Sequence, residues 1–274
     1  VTARQLSAAY RVAEILVRPP LWLLTRQQWR GAQNLPASGG FLACVNHISH
    51  VDPFTLGRFL LDHGCPPRFL AKEEIFRIPV LGRIPAGAGQ IPVYRETADA
   101  ARAFSAAESA VAAGECVTIY PEATITRDPG LWPMVAKTGA ARIALATGCP
   151  VIPIAQWGPQ RLLAPYAKLP RLTGRTTIQG LVGPPVDLSR YLGRTPDAEL
   201  LRAATATIMD AITGLLEQLR GEQAPAARWD PREHDLPRVG NPRRAGRRSG
   251  RGPAGGPSQG PSPDPSQGPS EGAA

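Results

Sequence analysis

The chain has 274 residues, with 31 Lys and Arg against 22 Asp and Glu, a formal charge of +9 and a pI near 10.0. Its 43% hydrophobic and 19% charged composition excludes a wholly disordered chain, a collagen-like repeat and a disulfide-dense mini-protein, and its length suits one large domain or at most two. The positive charge narrows the partners to something anionic: nucleic acid, phospholipid or a phosphorylated substrate.

At the N-terminus Arg4, Arg11 and Arg18 fall along one helical stripe, with Leu6, Tyr10, Val12, Ile15, Leu16 and Val17 between them. The charge-free run from Pro19 to Thr25 is far shorter than the roughly 20 residues that span a bilayer, and the segment does not read as a signal peptide. The pattern predicts an amphipathic helix. Taken alone, it fits equally a helix lying in the membrane interface, anchored by Trp22 and Trp29, and a helix packed on its own domain.

Further along, apolar, β-rich runs at 41–46, 68–72, 90–94, 116–121, 151–156 and 176–182 alternate with helical patterns at 53–63, 98–113, 136–147 and 197–220. This predicts an α/β domain, a central sheet flanked by helices, with chemistry at the strand ends near Asn46, Tyr94 and Pro121. From 221 to 274 the chain is rich in Pro and Gly, has six Arg between 238 and 251, and repeats Pro-Ser-Gln-Gly-Pro-Ser; a disordered tail is expected. That tail has 8 Arg against 6 acids, so the positive charge resides mainly in 1–220. Cys44, Cys65, Cys116 and Cys149 lack metal-ligand spacing and read as buried thiols of a reducing compartment; no metal is expected.

His47 and Asp52 leave the first apolar strand five residues apart, which on a continuous helix would set them on different faces. Pro53 disfavours helical geometry at Asp52 and suits the first helical position, so the helix is expected to start there and the loop 47–52 to fold back, bringing the imidazole against the carboxylate. An imidazole held by a carboxylate is a general base. The competing structural role is a loop histidine beside an Asp52 that merely caps the helix. No Gly-x-Ser-x-Gly elbow occurs and Cys44 alternates inward, so the dyad points to direct activation of a substrate hydroxyl.

Asn46-His47-(four residues)-Asp52 resembles the first motif of the glycerolipid acyltransferases, the family of bacterial 1-acylglycerol-3-phosphate acyltransferases. Four further segments resemble that family's in the same order: the lysine-bearing Phe69-Leu70-Ala71-Lys72-Glu73-Glu74-Ile75-Phe76, then Gly89-Gln90-Ile91-Pro92-Val93-Tyr94-Arg95, then Tyr120-Pro121-Glu122-Ala123-Thr124, then Val151-Ile152-Pro153-Ile154. In the third motif Ala123 stands where glycine is usual and Ile125 where arginine is usual, with Arg127 following two residues later. An alanine there is expected to make a positive φ hard to reach.

The resemblance covers about 30–190 and implies a mixed, glycerol-3-phosphate acyltransferase-like sheet over 31–220, flanked by an interfacial 1–30 and the tail. It implies transfer of a fatty acyl group from an acyl-CoA or acyl carrier protein thioester to the hydroxyl of a lysophospholipid, with no cofactor. His47 would take the hydroxyl proton, Asp52 orient it, and Arg95 contact the acceptor phosphate. Asn46, Lys72, Glu122, Thr124, Arg127 and Lys137 complete the expected substrate-binding set, Glu122 by positioning Arg95, Arg127 or a loop amide. A lipid product requires work at a bilayer, which favours the interfacial reading of 1–30 and a peripheral place on the cytoplasmic face of the cell membrane. Two alternatives stand beside this one. One is acylation of another lysophospholipid or a glycolipid. The other is nucleic-acid or acidic-partner binding by the arginine tail, disfavoured because 236–251 lacks an aromatic residue for stacking.

Overall fold

A computed structural model describes residues 6–79, 82–93 and 97–234. All lie in one compact unit; Arg95 and the residues beyond 234 lie outside the described residues.

Helix α1 (Ala8–Leu24) begins at Ser7, whose hydroxyl accepts from the Tyr10 amide and donates to the Gly87 carbonyl. It runs straight into strand β1 (Thr25–Arg30). The alternating strands and helices then follow as expected: β2 (Phe41–Val45), α2 (Asp52–Asp62), β3 (Pro67–Lys72), two short helices α3 (Glu73–Phe76) and α4 (Arg83–Gly87), β4 (Ile91–Val93), α5 (Thr97–Ala112), β5 (Cys116–Ile119), α6 (Gly139–Thr147), β6 (Val151–Trp157), the short α7 (Pro159–Leu162), β7 (Thr176–Val182) and α8 (Ala198–Arg220).

The seven strands form one sheet in the order β1-β7-β6-β2-β5-β3-β4. β2, β3, β4, β5 and β6 run parallel, while β7 is antiparallel to β6 and parallel to β1. The carboxyl ends of β2, β5 and β6 therefore share an edge with the starts of β1 and β7. β2 lies at the centre and is wholly buried, which is why its Phe-Leu-Ala-Cys-Val shows no polar alternation. One face of the sheet packs on α5, α6 and α8 through Ile143, Ile208 and Ile212; the other packs on α2 through Leu56, Phe59 and Leu60.

Three sequence expectations are corrected. Over the segment expected as one interfacial stretch, 1–30, the helix ends at Leu24, and 25–30 is an edge strand whose polar Thr-Arg-Gln-Gln-Trp-Arg hides a strand signal. Trp29, expected as a membrane anchor, instead stacks on Phe59 at 4.2 Å. The tail expected from Gly221 stays packed through His234: Asp230 and Pro231 are buried, and the Trp229 carbonyl accepts from the Val135 amide at 3.1 Å.

Candidate active site

The loop after β2 folds back as the Pro53 argument predicts, although the helix begins one residue earlier, at Asp52. His47 Nδ1 lies 2.8 Å from Asp52 Oδ2. The same oxygen accepts from the amides of Ile48 at 2.6 Å and Ser49 at 2.8 Å. Asp52 therefore caps its own preceding loop rather than the helix, and the loop is closed around the carboxylate. Asp52 is completely buried while His47 keeps 16% of its side chain accessible, so the imidazole stands between a fixed anion and solvent. Burial raises the Asp52 carboxyl, opposed by the hydrogen bond from His47 and by the two amides. An Nδ1–H donated to Asp52 leaves Nε2 as the proton acceptor. The ring is also held flat: Tyr120 stacks on it at 4.2 Å and 25°, with Phe69 behind Tyr120.

Glu122 follows β5 and is 3% exposed. Its Oε1 accepts from the His47 amide at 3.0 Å and its Oε2 from the Met134 amide at 2.9 Å. The carboxyl group thus ties the first-motif loop to the loop after the third motif, and the Thr126 amide donates to the His47 carbonyl at 2.7 Å beside it. Glu122 positions loop amides, one of the roles its sequence allowed. Burial pushes its pKa up to about 8 despite the two amides. Because that lies above the ordinary carboxyl value of 4.5, the native state holds a proton that the unfolded chain releases, so stability falls as pH rises from 4.5 to about 8. Glu122→Gln is expected to remove this slope and, by setting an amide NH2 against a backbone N–H, to cost about 1–3 kcal/mol. Melting temperatures of both proteins across that pH range check it.

Ala123 adopts φ 57°, the left-handed conformation that the alanine was expected to discourage. The turn at 120–123, closed by the Ala123 amide on the Tyr120 carbonyl, imposes it. Ala123 is exposed, so Ala123→Gly removes strain without opening a cavity and is expected to stabilise the fold by about 0.5–1 kcal/mol, read as a rise in melting temperature.

The other candidates divide. Asn46 does not face a substrate: its side chain is 1% exposed and pairs with the Gln156 backbone, donating to the carbonyl at 3.1 Å and accepting from the amide at 2.9 Å. It extends the β2–β6 pairing by one residue. Thr124 and Arg127 converge on Tyr166, with Thr124 Oγ1 3.2 Å and Arg127 Nε 3.4 Å from its hydroxyl, which itself donates to the Ile125 carbonyl at 2.7 Å. Ile125 is buried. Lys72 caps α3 at the end of β3, near enough to His50 to lower that imidazole, after burial and His47. Lys137 precedes α6 rather than opening it, and its amide donates to the Pro121 carbonyl at 2.9 Å, closing the third-motif loop. Cys44 is buried and its thiol is raised by burial. Ser49 is buried, with its hydroxyl donated to the Leu163 carbonyl. Tyr120 and Tyr166 were missed by sequence reasoning. The first stood inside a recognised motif and could have been found; the second lies 39 residues from Arg127 with no spacing signal.

Residues 26–157 match the family model described as Acyltransferase, and this stretch contains the dyad, Glu122 and the strands that carry them. This stretch of the chain is similar to that family. It is 34% identical over 138 residues to a chloroplastic 1-acyl-sn-glycerol-3-phosphate acyltransferase, BAT2, of Brassica napus, covering 49% of this chain and 38% of that one. It is 32% identical over 125 residues to a 1-acyl-sn-glycerol-3-phosphate acyltransferase of Borreliella burgdorferi, covering 45% and 48%. It is 27% identical over 187 residues to the enzyme of that name in Bacillus subtilis, covering 68% and 86%. The chain spans less than half the length of the first two. Residues 26–157 and their flanks share the fold of the crystal structure of the 1-acyl-sn-glycerophosphate (LPA) acyltransferase PlsC from Thermotoga maritima. The TM-score is 0.57 and the identity 23%, over 78% of this chain and 81% of that one.

Proposed function

We propose that this protein transfers a fatty acyl group from a thioester to the free hydroxyl of 1-acyl-sn-glycerol-3-phosphate, giving phosphatidic acid. The observation that carries the reading is the 2.8 Å contact of His47 Nδ1 with the buried Asp52, at the carboxyl edge of the sheet, in a domain whose named relatives are such enzymes. His47 Nε2 takes the proton of the acceptor hydroxyl as its oxygen attacks the thioester carbonyl, and Asp52 stabilises the imidazolium that forms. The thiolate then leaves as the tetrahedral intermediate collapses. Its conjugate thiol, with a pKa of about 8.5, makes it a good leaving group. The commitment of the Ser49 hydroxyl to Leu163 and the burial of Cys44 support attack by the acceptor itself, without an acyl-enzyme. Either acyl-CoA or acyl carrier protein suits the donor role.

Arg95 is assigned to the acceptor phosphate on its motif position alone. Thr124 and Arg127 are assigned there because both meet Tyr166 beside the third-motif loop. A second reading, another lysophospholipid or glycolipid acceptor, is favoured by one observation: Ile125, where family members usually carry arginine, is buried. Turnover of acyl-CoA with lysophosphatidate separates the two; activity only with a phosphate-free acceptor would overturn the first. Under the first, Arg95→Ala and Arg127→Ala each raise the KM for lysophosphatidate by about 10-fold or more, as loss of a charged hydrogen bond predicts.

The work is placed at a membrane surface. Val12, Ile15, Leu16, Trp22 and Leu23 of α1 are all exposed, forming an apolar stripe open to solvent. Among the described residues no helix is long and apolar enough to cross a membrane, which agrees with peripheral attachment.

A further inference from the structure

We propose that the connection between α7 and β7, residues 163–175, is a second membrane-contacting element that seats on an anionic lipid leaflet beside α1. The proposal rests on the reading of this protein as an enzyme working at a bilayer. The segment reads Leu-Ala-Pro-Tyr-Ala-Lys-Leu-Pro-Arg-Leu-Thr-Gly-Arg and contains no acid. Leu169 is 80% exposed, more than any other large apolar residue among those described, and Leu172 is 66% exposed. Lys168, Arg171 and Arg175 alternate with them and are exposed as well. Apolar side chains interleaved with cations fit a surface that is itself layered: acyl chains beneath anionic headgroups.

Placement supports the same occupant. The segment leaves the carboxyl edge of β6 and enters the start of β7, so it lies along the sheet edge that holds His47. At its far end Arg175 donates to the Thr25 carbonyl at 2.9 Å and its guanidinium lies 5.6 Å from the ring of Trp22. Arg175 therefore ties the segment to the end of α1 that carries the exposed Trp22 and Leu23. At its near end the Leu163 carbonyl accepts from Ser49, and Tyr166 meets Thr124. A leaflet touching both elements would hold the third-motif loop against the lipid that presents the acceptor.

The test is co-sedimentation with vesicles of equal parts phosphatidylglycerol and phosphatidylcholine, using the full chain. Leu169→Ser/Leu172→Ser is expected to weaken vesicle partitioning by about tenfold while leaving the melting temperature unchanged, since both side chains are already solvated. On the unmodified protein, the same vesicles are expected to slow tryptic cleavage after Lys168 and Arg171, a readout that needs no variant. Wild-type partitioning by the double variant, or equal cleavage with and without vesicles, would overturn the proposal and leave the membrane role of α1 standing. No vesicle binding by the wild-type chain would overturn the membrane reading and this proposal together. A wild-type dimer that the double variant converts to monomer would assign the leucines to a second copy of the chain and also overturn it.

Discussion

His47→Ala is expected to lower kcat for acyl transfer by about 10²–10⁴-fold, the range general-base catalysis supplies, with little change in melting temperature. The ring touches Asp52 and Tyr120 and is partly accessible, so its removal leaves no deep cavity, and its backbone bonds to Glu122 and Thr126 persist. Asp52→Asn is the sharper companion. Oδ2 receives His47 and both amides, whereas Oδ1 is buried with no hydrogen-bonding partner among the described residues. An asparagine can set its oxygen in the Oδ2 position and keep all three bonds, losing only the charge that stabilises the imidazolium. Its kcat should fall by about 10²-fold or more while the fold survives. Substantial acyl transfer by the His47→Ala protein, measured with acyl-CoA and lysophosphatidate, would remove the imidazole from the proposed mechanism.

The second large effect lies far from the dyad. Arg220, the last residue of α8, has its guanidinium between two indoles, 3.9 Å from the ring of Trp132 and 4.4 Å from that of Trp157. It also donates to the Gly130 carbonyl at 2.7 Å and pairs with Glu222 at 2.5 Å. With the side chain 9% exposed, cation–π and charged hydrogen-bond terms of this kind sum to about 3 kcal/mol, so Arg220→Ala is expected to lower stability by about that amount. Arg220→Lys should recover less than half, because an ammonium cannot stack between both rings and still reach Gly130. A consequence for the site follows from the chain of contacts. Gly130 and Trp132 belong to the loop whose Met134 amide holds Glu122, and Glu122 holds the His47 amide. Removing residues 221–234 should act in the same direction, since Trp229 holds Val135; removing only 235–274 should leave the melting temperature unchanged. Equal stability of the Arg220→Ala and wild-type proteins in urea unfolding would refute the clamp.

The dyad was legible because its cause is local. Five residues and a proline sufficed to predict that His47 meets Asp52, and steric restriction around Pro53 is the same in any chain. The alternation of apolar strands and helices was legible for a similar reason, and Glu122 stands just past the end of β5, among the strand ends where chemistry was expected. What failed was what depends on a partner distant in sequence. Asn46 looks like a polar group at an active strand end, but Gln156, 110 residues away, occupies both ends of its amide. Thr25–Arg30 has a strand's geometry without a strand's composition, because at the sheet edge every second side chain is exposed, only Thr25 is fully buried, and the pairing with β7 defines it.

The charge with which the sequence opens is likewise resolved by placement. Its sign and its excess in the first 220 residues were plain from composition. Backbone sterics and hydrophobic period, which act over a few residues, determined from sequence alone the α/β class, the fold-back loop and the amphipathic first helix. The tertiary structure alone decided that Glu122 links two loops, that Arg220 clamps one of them and that residues 221–234 belong to the packed domain, because each is a contact between segments that only the closed sheet brings together.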